Sequence, residues 1–125
     1  MIQYGRQDIT EGDIEAVIST LKSDFLTQGP AVKKFESDLE DYTSAKYAIA
    51  VNSATSALHI AYKALGVGPG DVVWTSPITF VATSNAALML GAEVQFIDID
   101  RSTINMCVDA LCEKLDEAAR LNKLP

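Results

Sequence analysis

The sequence predicts an α/β fold, a three-layer parallel sheet with helices on both faces. Three observations carry that expectation. Short apolar runs of strand type alternate with stretches of helical periodicity, the joints between them are short, and Gly or Pro punctuates most of the joints. Strand, helix, strand, helix, strand, helix in that order implies parallel strands linked by right-handed crossovers.

Two helices precede any strand. In "ITEGDIEAVISTLKSDF" the residues Ile14, Val17, Ile18 and Leu21 recur at i, i+3, i+4 and i+7, and Thr10 with Asp13 has the spacing of a capping box, so a helix begins near Thr10. Gly29 and Pro30 break it. Pro30 suits the first position of a second helix, whose apolar stripe is Val32, Phe35, Leu39 and Tyr42. Residues 1–45 therefore read as an N-terminal helical segment and 46–125 as a βαβαβα unit.

Within that unit "YAIAV", residues 47–51, is a nearly continuous apolar run suited to a strand covered on both faces. "ATSALHIAYKALG" follows at helical spacing, with Leu58, Ala61, Tyr62 and Leu65 on one side and Gly66 as the stop. After the turn "GVGPGD", "VVWTS" supplies a second strand. "TFVATSNAALML" is a helix closed by Gly91, "EVQFIDID" a third strand, and "CVDALCEKLDEAARLNKLP" a last helix with its charges on one side. No repeat or low-complexity tract interrupts the series.

Composition bounds the function. A chain of 125 residues, 48% hydrophobic, suffices for one domain with a sizeable core. The net charge of -7 argues against a nucleic-acid partner, which would need basic residues clustered on one face. Apolar segments stop well short of the roughly 20 residues that cross a bilayer. The N-terminus lacks the apolar centre of a signal peptide, so no membrane partner and a cytoplasmic location are expected. Cys107 and Cys112, five apart, fit neither a zinc knuckle nor a redox pair and read as buried thiols; no metal site is expected.

The stretch "NSATS" stands where the first apolar run hands over to a helix. In parallel sheets ligands bind beyond the carboxyl ends of the strands, where a helix presents unpaired N–H groups and the positive end of its dipole. Hydroxyls of Ser53, Thr55 and Ser56 could add donors there for a phosphate group. Ser and Thr are equally ordinary N-cap residues, and by itself the pattern favours a simple cap. Neither a dinucleotide fingerprint nor a P-loop is present. At the next such joint, "TSPITFVATSNAA", Phe80 falls in the first turn of its helix beside Thr79. Its ring either stacks on a flat heterocycle in the crevice or tucks into the core.

Over most of its length, from Tyr4 to about Leu115, the chain resembles sugar aminotransferases of the DegT/DnrJ/EryC1/StrS family. The blocks "DFLTQGP", "VNSATSAL" and "TSPITFVATSNAALMLGAEVQFIDID" carry the likeness in order and spacing. Members are pyridoxal 5'-phosphate (PLP) enzymes of fold type I. The resemblance therefore implies the N-terminal part of a large domain of the aspartate aminotransferase type, incomplete at Pro125. Within the family, it is similar to members that aminate a UDP-linked 4-keto-6-deoxy amino sugar on the route to pseudaminic acid or a related surface polysaccharide.

Carried over by motif, the phosphate-binding turn falls on Ala54, Thr55 and Ser56, with Ala54 where many members have Gly. The residue stacking on the pyridine ring falls on Phe80. The substrate contacts fall on Tyr4 and on Asp24, Phe25, Leu26 and Thr27, a loop that would otherwise read as an ordinary helix-ending turn. A nucleotide-sugar substrate, an amino-acid amine donor and a homodimer are the implied partners.

Transamination also needs a lysine to hold the cofactor as a Schiff base and a carboxylate at the pyridine nitrogen. Neither family block that carries them occurs here. Lys22, Lys33, Lys34, Lys46, Lys63, Lys114 and Lys123 all read as lying on helix surfaces or at strand approaches, Lys63 past the middle of its helix. His59, without a partner in the pattern, reads as a packing residue. The chain is therefore expected to be the N-terminal piece of a longer aminotransferase, with no catalytic residue of its own and inactive alone. The alternative is a small non-catalytic α/β domain that binds a phosphate ligand or a partner protein.

Overall fold

The computed structural model describes residues 5–124. The chain divides into two compact units, Met1–Ala50 and Val51–Pro125.

In the first unit Thr10, with extended backbone, opens α1 (Glu11–Leu21). Its N–H donates to the Asp13 carboxylate at 2.7 Å, and the Asp13 N–H donates to the Thr10 hydroxyl at 3.4 Å, closing the expected capping box. Pro30 takes the first position of α2 (Pro30–Thr43), where its missing N–H would have had no partner in any case.

The expected strand at 47–51 is absent: the segment belongs to no helix and pairs with no strand among the described residues. Apolar character makes a strand possible, but only a neighbouring ladder makes one. Here the Ala48 N–H donates to Glu40 Oε1 at 3.0 Å and the Ala50 N–H to Glu36 Oε1 at 2.8 Å. The spacings match. Four helical residues rise about 6 Å, the reach of two residues of strand-like chain at about 6.6 Å, so carboxylates one turn apart on α2 meet the alternate amides of Ala50 and Ala48.

The second unit runs α3 (Ala54–Ala64), β1 (Val72–Thr75), α4 (Ala82–Leu88), β2 (Glu93–Phe96) and α5 (Val108–Arg120). Its sheet is parallel, as expected, but two-stranded, with Val72 opposite Glu93 and Thr75 opposite Phe96. Side chains alternate between the two faces. Val72, Trp74, Glu93 and Gln95 share one face and, with Lys114, Glu117 and Ala118 of α5, line a cavity of about 420 Å³. On the other face α4 packs along both strands, burying Ala82, Ala86 and Ala87, and α3 packs against α4. Helices thus cover both faces of the sheet, the layering the sequence predicts.

Glycine closes α3 as expected. Gly66 has φ +83°, its N–H donates to Lys63 O, and the Val67 N–H reaches back to Tyr62 O, which together satisfy carbonyls of the last turn.

The core is smaller than the composition suggests. Among the described residues the buried apolar ones are five alanines and Ile97, and no large side chain is completely buried. A two-stranded layer offers little area to bury against. The thiols are not buried either: Cys112 is exposed on α5 and Cys107, the residue preceding that helix, is half-buried. Among the described residues no helix is long and apolar enough to cross a membrane, and no cluster of His, Cys, Asp and Glu could hold a metal ion.

Candidate functional site

The start of α3 has a definite hydrogen-bonding order. Ser53 is the N-cap, and its hydroxyl oxygen accepts from the Ser56 N–H at 3.2 Å. The Ala57 N–H is taken by Ser53 O. The N–H groups of Ala54 and Thr55, the first two helical residues, have no acceptor among the described residues, and neither has the Thr55 hydroxyl. Two backbone donors and one hydroxyl donor therefore stand at the positive end of the helix dipole, the arrangement that holds an anion. Ser56 differs: its hydroxyl donates to Asn52 Oδ1 at 2.7 Å and lies 3.0 Å from the Ser53 hydroxyl. Thr55 and Ser56 also line a cavity of about 240 Å³ with His59, Ile60 and Met89, and His59 Nδ1 is buried there without a hydrogen-bond partner.

Phe80 lies two residues before Ala82, the first residue of α4, ahead of the N-cap Val81 and not in the first turn as expected. The helix starts late because Thr83 N–H, the first amide turned back, donates to Phe80 O. Phe80 is 76% exposed, so it is not core. It sits between the carboxyl end of β1 and α4, where its ring is free to meet a flat ligand. Neighbouring Thr79 is engaged with Thr83, their hydroxyls 3.3 Å apart.

The loop of Asp24, Phe25, Leu26 and Thr27 belongs to the first unit. The Ser23 hydroxyl serves Thr20 O at 2.8 Å and Phe25 O at 3.1 Å, and the chain folds so tightly that a Cβ on Gly29 would lie 2.9 Å from Phe25 Cβ. Phe25 and Leu26 are exposed on this turn. Leu26 joins Ala16, Val17, Thr20 and Leu21 of α1 around an apolar hollow of about 390 Å³. Tyr4, the other expected substrate contact, lies outside the described residues. Lys63 occupies the last turn of α3, at the end opposite Ala54 and Thr55.

The profile of the DegT/DnrJ/EryC1/StrS aminotransferase family matches residues 7–121. The chain belongs to that family. Among curated relatives of this chain is the UDP-4-amino-4,6-dideoxy-N-acetyl-beta-L-altrosamine transaminase of Campylobacter jejuni, 52% identical over 99 residues, which are 79% of this chain and 26% of the relative. The spore coat polysaccharide biosynthesis protein SpsC of Bacillus subtilis is 45% identical over 105 residues, 84% of this chain and 27% of that protein. Among solved structures, the PLP form of Spr1654 of Streptococcus pneumoniae, named as a sugar aminotransferase, superposes with a TM-score of 0.84. It is 37% identical, covering 90% of this chain and 29% of that one. The chain thus spans about a quarter of the length of the curated relatives it matches.

Within this family member, sequence reasoning missed Asn52 as a partner of Ser56. The signal was present, since Asn one residue before a Ser N-cap has a short polar side chain within reach of the first turn.

Proposed function

We propose that these residues form the phosphate- and ring-binding part of a PLP-dependent aminotransferase that aminates a nucleotide-linked keto sugar. The reading adopts a UDP-4-keto-6-deoxy amino sugar of surface-polysaccharide biosynthesis, pseudaminic acid or related, as the substrate. The observation that carries it is the 52% identity to the altrosamine transaminase.

The free donors at the start of α3 support the cofactor. The Ala54 and Thr55 N–H groups and the Thr55 hydroxyl would hold its phosphate, and the exposed Phe80 ring would lie against its pyridine. Bound there, the cofactor supplies an electron sink and carries the amino group from an amino acid to the sugar. The loop of Asp24, Phe25, Leu26 and Thr27, with Tyr4, is assigned to the sugar. Lys63 is at the wrong end of α3 to reach the cofactor, and in this proposal the lysine that joins it lies outside these 125 residues, which would be inactive alone.

We place the enzyme in the cytoplasm as a homodimer. The apolar stripe of α1, Ile14, Val17, Ile18 and Leu21, is exposed and would suit an interface between copies.

The test is the full-length enzyme, PLP, a UDP-4-keto-6-deoxy amino sugar and a panel of amino acids. Mass spectrometry should show the sugar carbonyl replaced by an amine, with the matching keto acid formed. PLP bound but no sugar aminated would keep the cofactor site and overturn the substrate.

A further inference from the structure

We infer that Asn52 is a positioning residue for the phosphate site: it holds the Ser56 hydroxyl in a clasp that leaves Thr55 as the hydroxyl that meets the phosphate. The inference rests on the function proposed above and deepens it.

It follows from counting protons. A hydroxyl has one to donate. That of Ser56 goes to Asn52 Oδ1 at 2.7 Å. With it spent, the 3.0 Å contact between the Ser53 and Ser56 hydroxyls is a donation from Ser53. The Ser53 oxygen in turn accepts the Ser56 N–H at 3.2 Å. Both serine protons are therefore used inside the turn, and toward an anion these oxygens could offer only lone pairs, which repel it.

The clasp fixes what remains. By tying residues 52, 53 and 56 together it holds the first helical turn, so that the Ala54 and Thr55 N–H groups converge without a partner of their own. Without Asn52, the Ser56 proton is released and its hydroxyl can rotate. Each replacement then costs the order of the turn and not a direct contact with the ligand. Asn52 is exposed, so truncating it leaves no cavity and the fold should survive.

The experiment compares binding of PLP and of pyridoxal, which lacks the phosphate, to the full-length apoenzyme carrying Asn52→Ala, Ser56→Ala, both together, Ser56→Thr or Thr55→Val. Absorbance and the ³¹P chemical shift of the bound phosphate are the readouts. Asn52→Ala and Ser56→Ala should each weaken PLP binding by about three- to tenfold, the scale of one lost hydrogen bond. Both should shift the ³¹P signal alike and leave pyridoxal binding unchanged. The double variant should be no weaker than either single, because the two residues act as one unit, and Ser56→Thr should retain wild-type affinity. Loss on Ser56→Ala without loss on Asn52→Ala would make Ser56 a direct ligand and overturn the inference. So would wild-type affinity in both. A Thr55→Val enzyme that binds PLP as the wild type does would overturn the phosphate site itself.

Discussion

The ammonium of Lys114 lies 5.1 Å from the ring centroid of Trp74, joining α5 to the face of the sheet it covers. Trp74 is the chain's one tryptophan, so the contact has its own optical signal. Lys114→Met keeps the aliphatic stem and removes the charge. It should cost about 0.5–1 kcal/mol in denaturant unfolding and change the Trp74 emission. An unchanged spectrum and midpoint would show that α5 is held by its apolar contacts alone.

Gly66 and Gly91 share the same φ of +83° but differ in surroundings. A Cβ at Gly66 would meet nothing within 4 Å, whereas one at Gly91 would lie 3.1 Å from Pro69 Cγ. Gly66→Ala should cost about 1–2 kcal/mol from the left-handed backbone alone. Gly91→Ala adds a displacement of Pro69 and should cost more. Equal losses in thermal melts of the two variants would mean that Pro69 yields freely.

Phe80→Ala separates ring binding from folding. With the side chain exposed, unfolding should change by less than about 0.5 kcal/mol. Cofactor affinity in the full-length enzyme should fall by about 0.5–1.5 kcal/mol, the value of an aromatic pair, and by more once lost buried area is added. A large loss of stability with unchanged affinity would return Phe80 to the core.

The Thr10 N–H, and after it the Thr10 hydroxyl, hold the Asp13 carboxyl below its ordinary value of 3.8. A lowered folded-state pKa means stabilisation that is present above the unfolded value and lost as pH falls through the folded one. The capping box should therefore open only below pH 3.8. An NMR titration of the Asp13 carboxyl carbon should show the lowered midpoint. Thr10→Ala should raise it part of the way, because the backbone N–H stays. A midpoint at the ordinary value in the wild type would mean that the box does not persist in solution.

Much of the local structure could be read from neighbouring residues. Thr10 with Asp13, Pro30 at a helix start, and Gly66 and Gly91 past helix ends are interactions across three to five positions, fixed by backbone geometry whatever surrounds them. The placement of Ala54, Thr55 and Ser56 at a helix N-terminus was legible for the same reason. The division of labour among them was not, since the Ser56 proton could go to an anion or to Asn52 and only the folded turn selects. Phe80 was placed in the first turn of a helix that begins two residues later, because helix ends are set by which amide first turns back.

What the sequence by itself determined is the order of helices, the starts of α1, α2 and α3 and the parallel α/β class, all products of short-range sterics and periodicity. The tertiary structure decided the rest. Residues 47–51 have the composition of a buried strand, yet a strand exists only where a distant segment supplies the other half of the ladder. In its place α2 presents Glu36 and Glu40 to the waiting amides of Ala50 and Ala48. Likewise, whether Phe80 or Cys112 is covered depends on what packs over it, and hydrophobicity alone does not encode that neighbour.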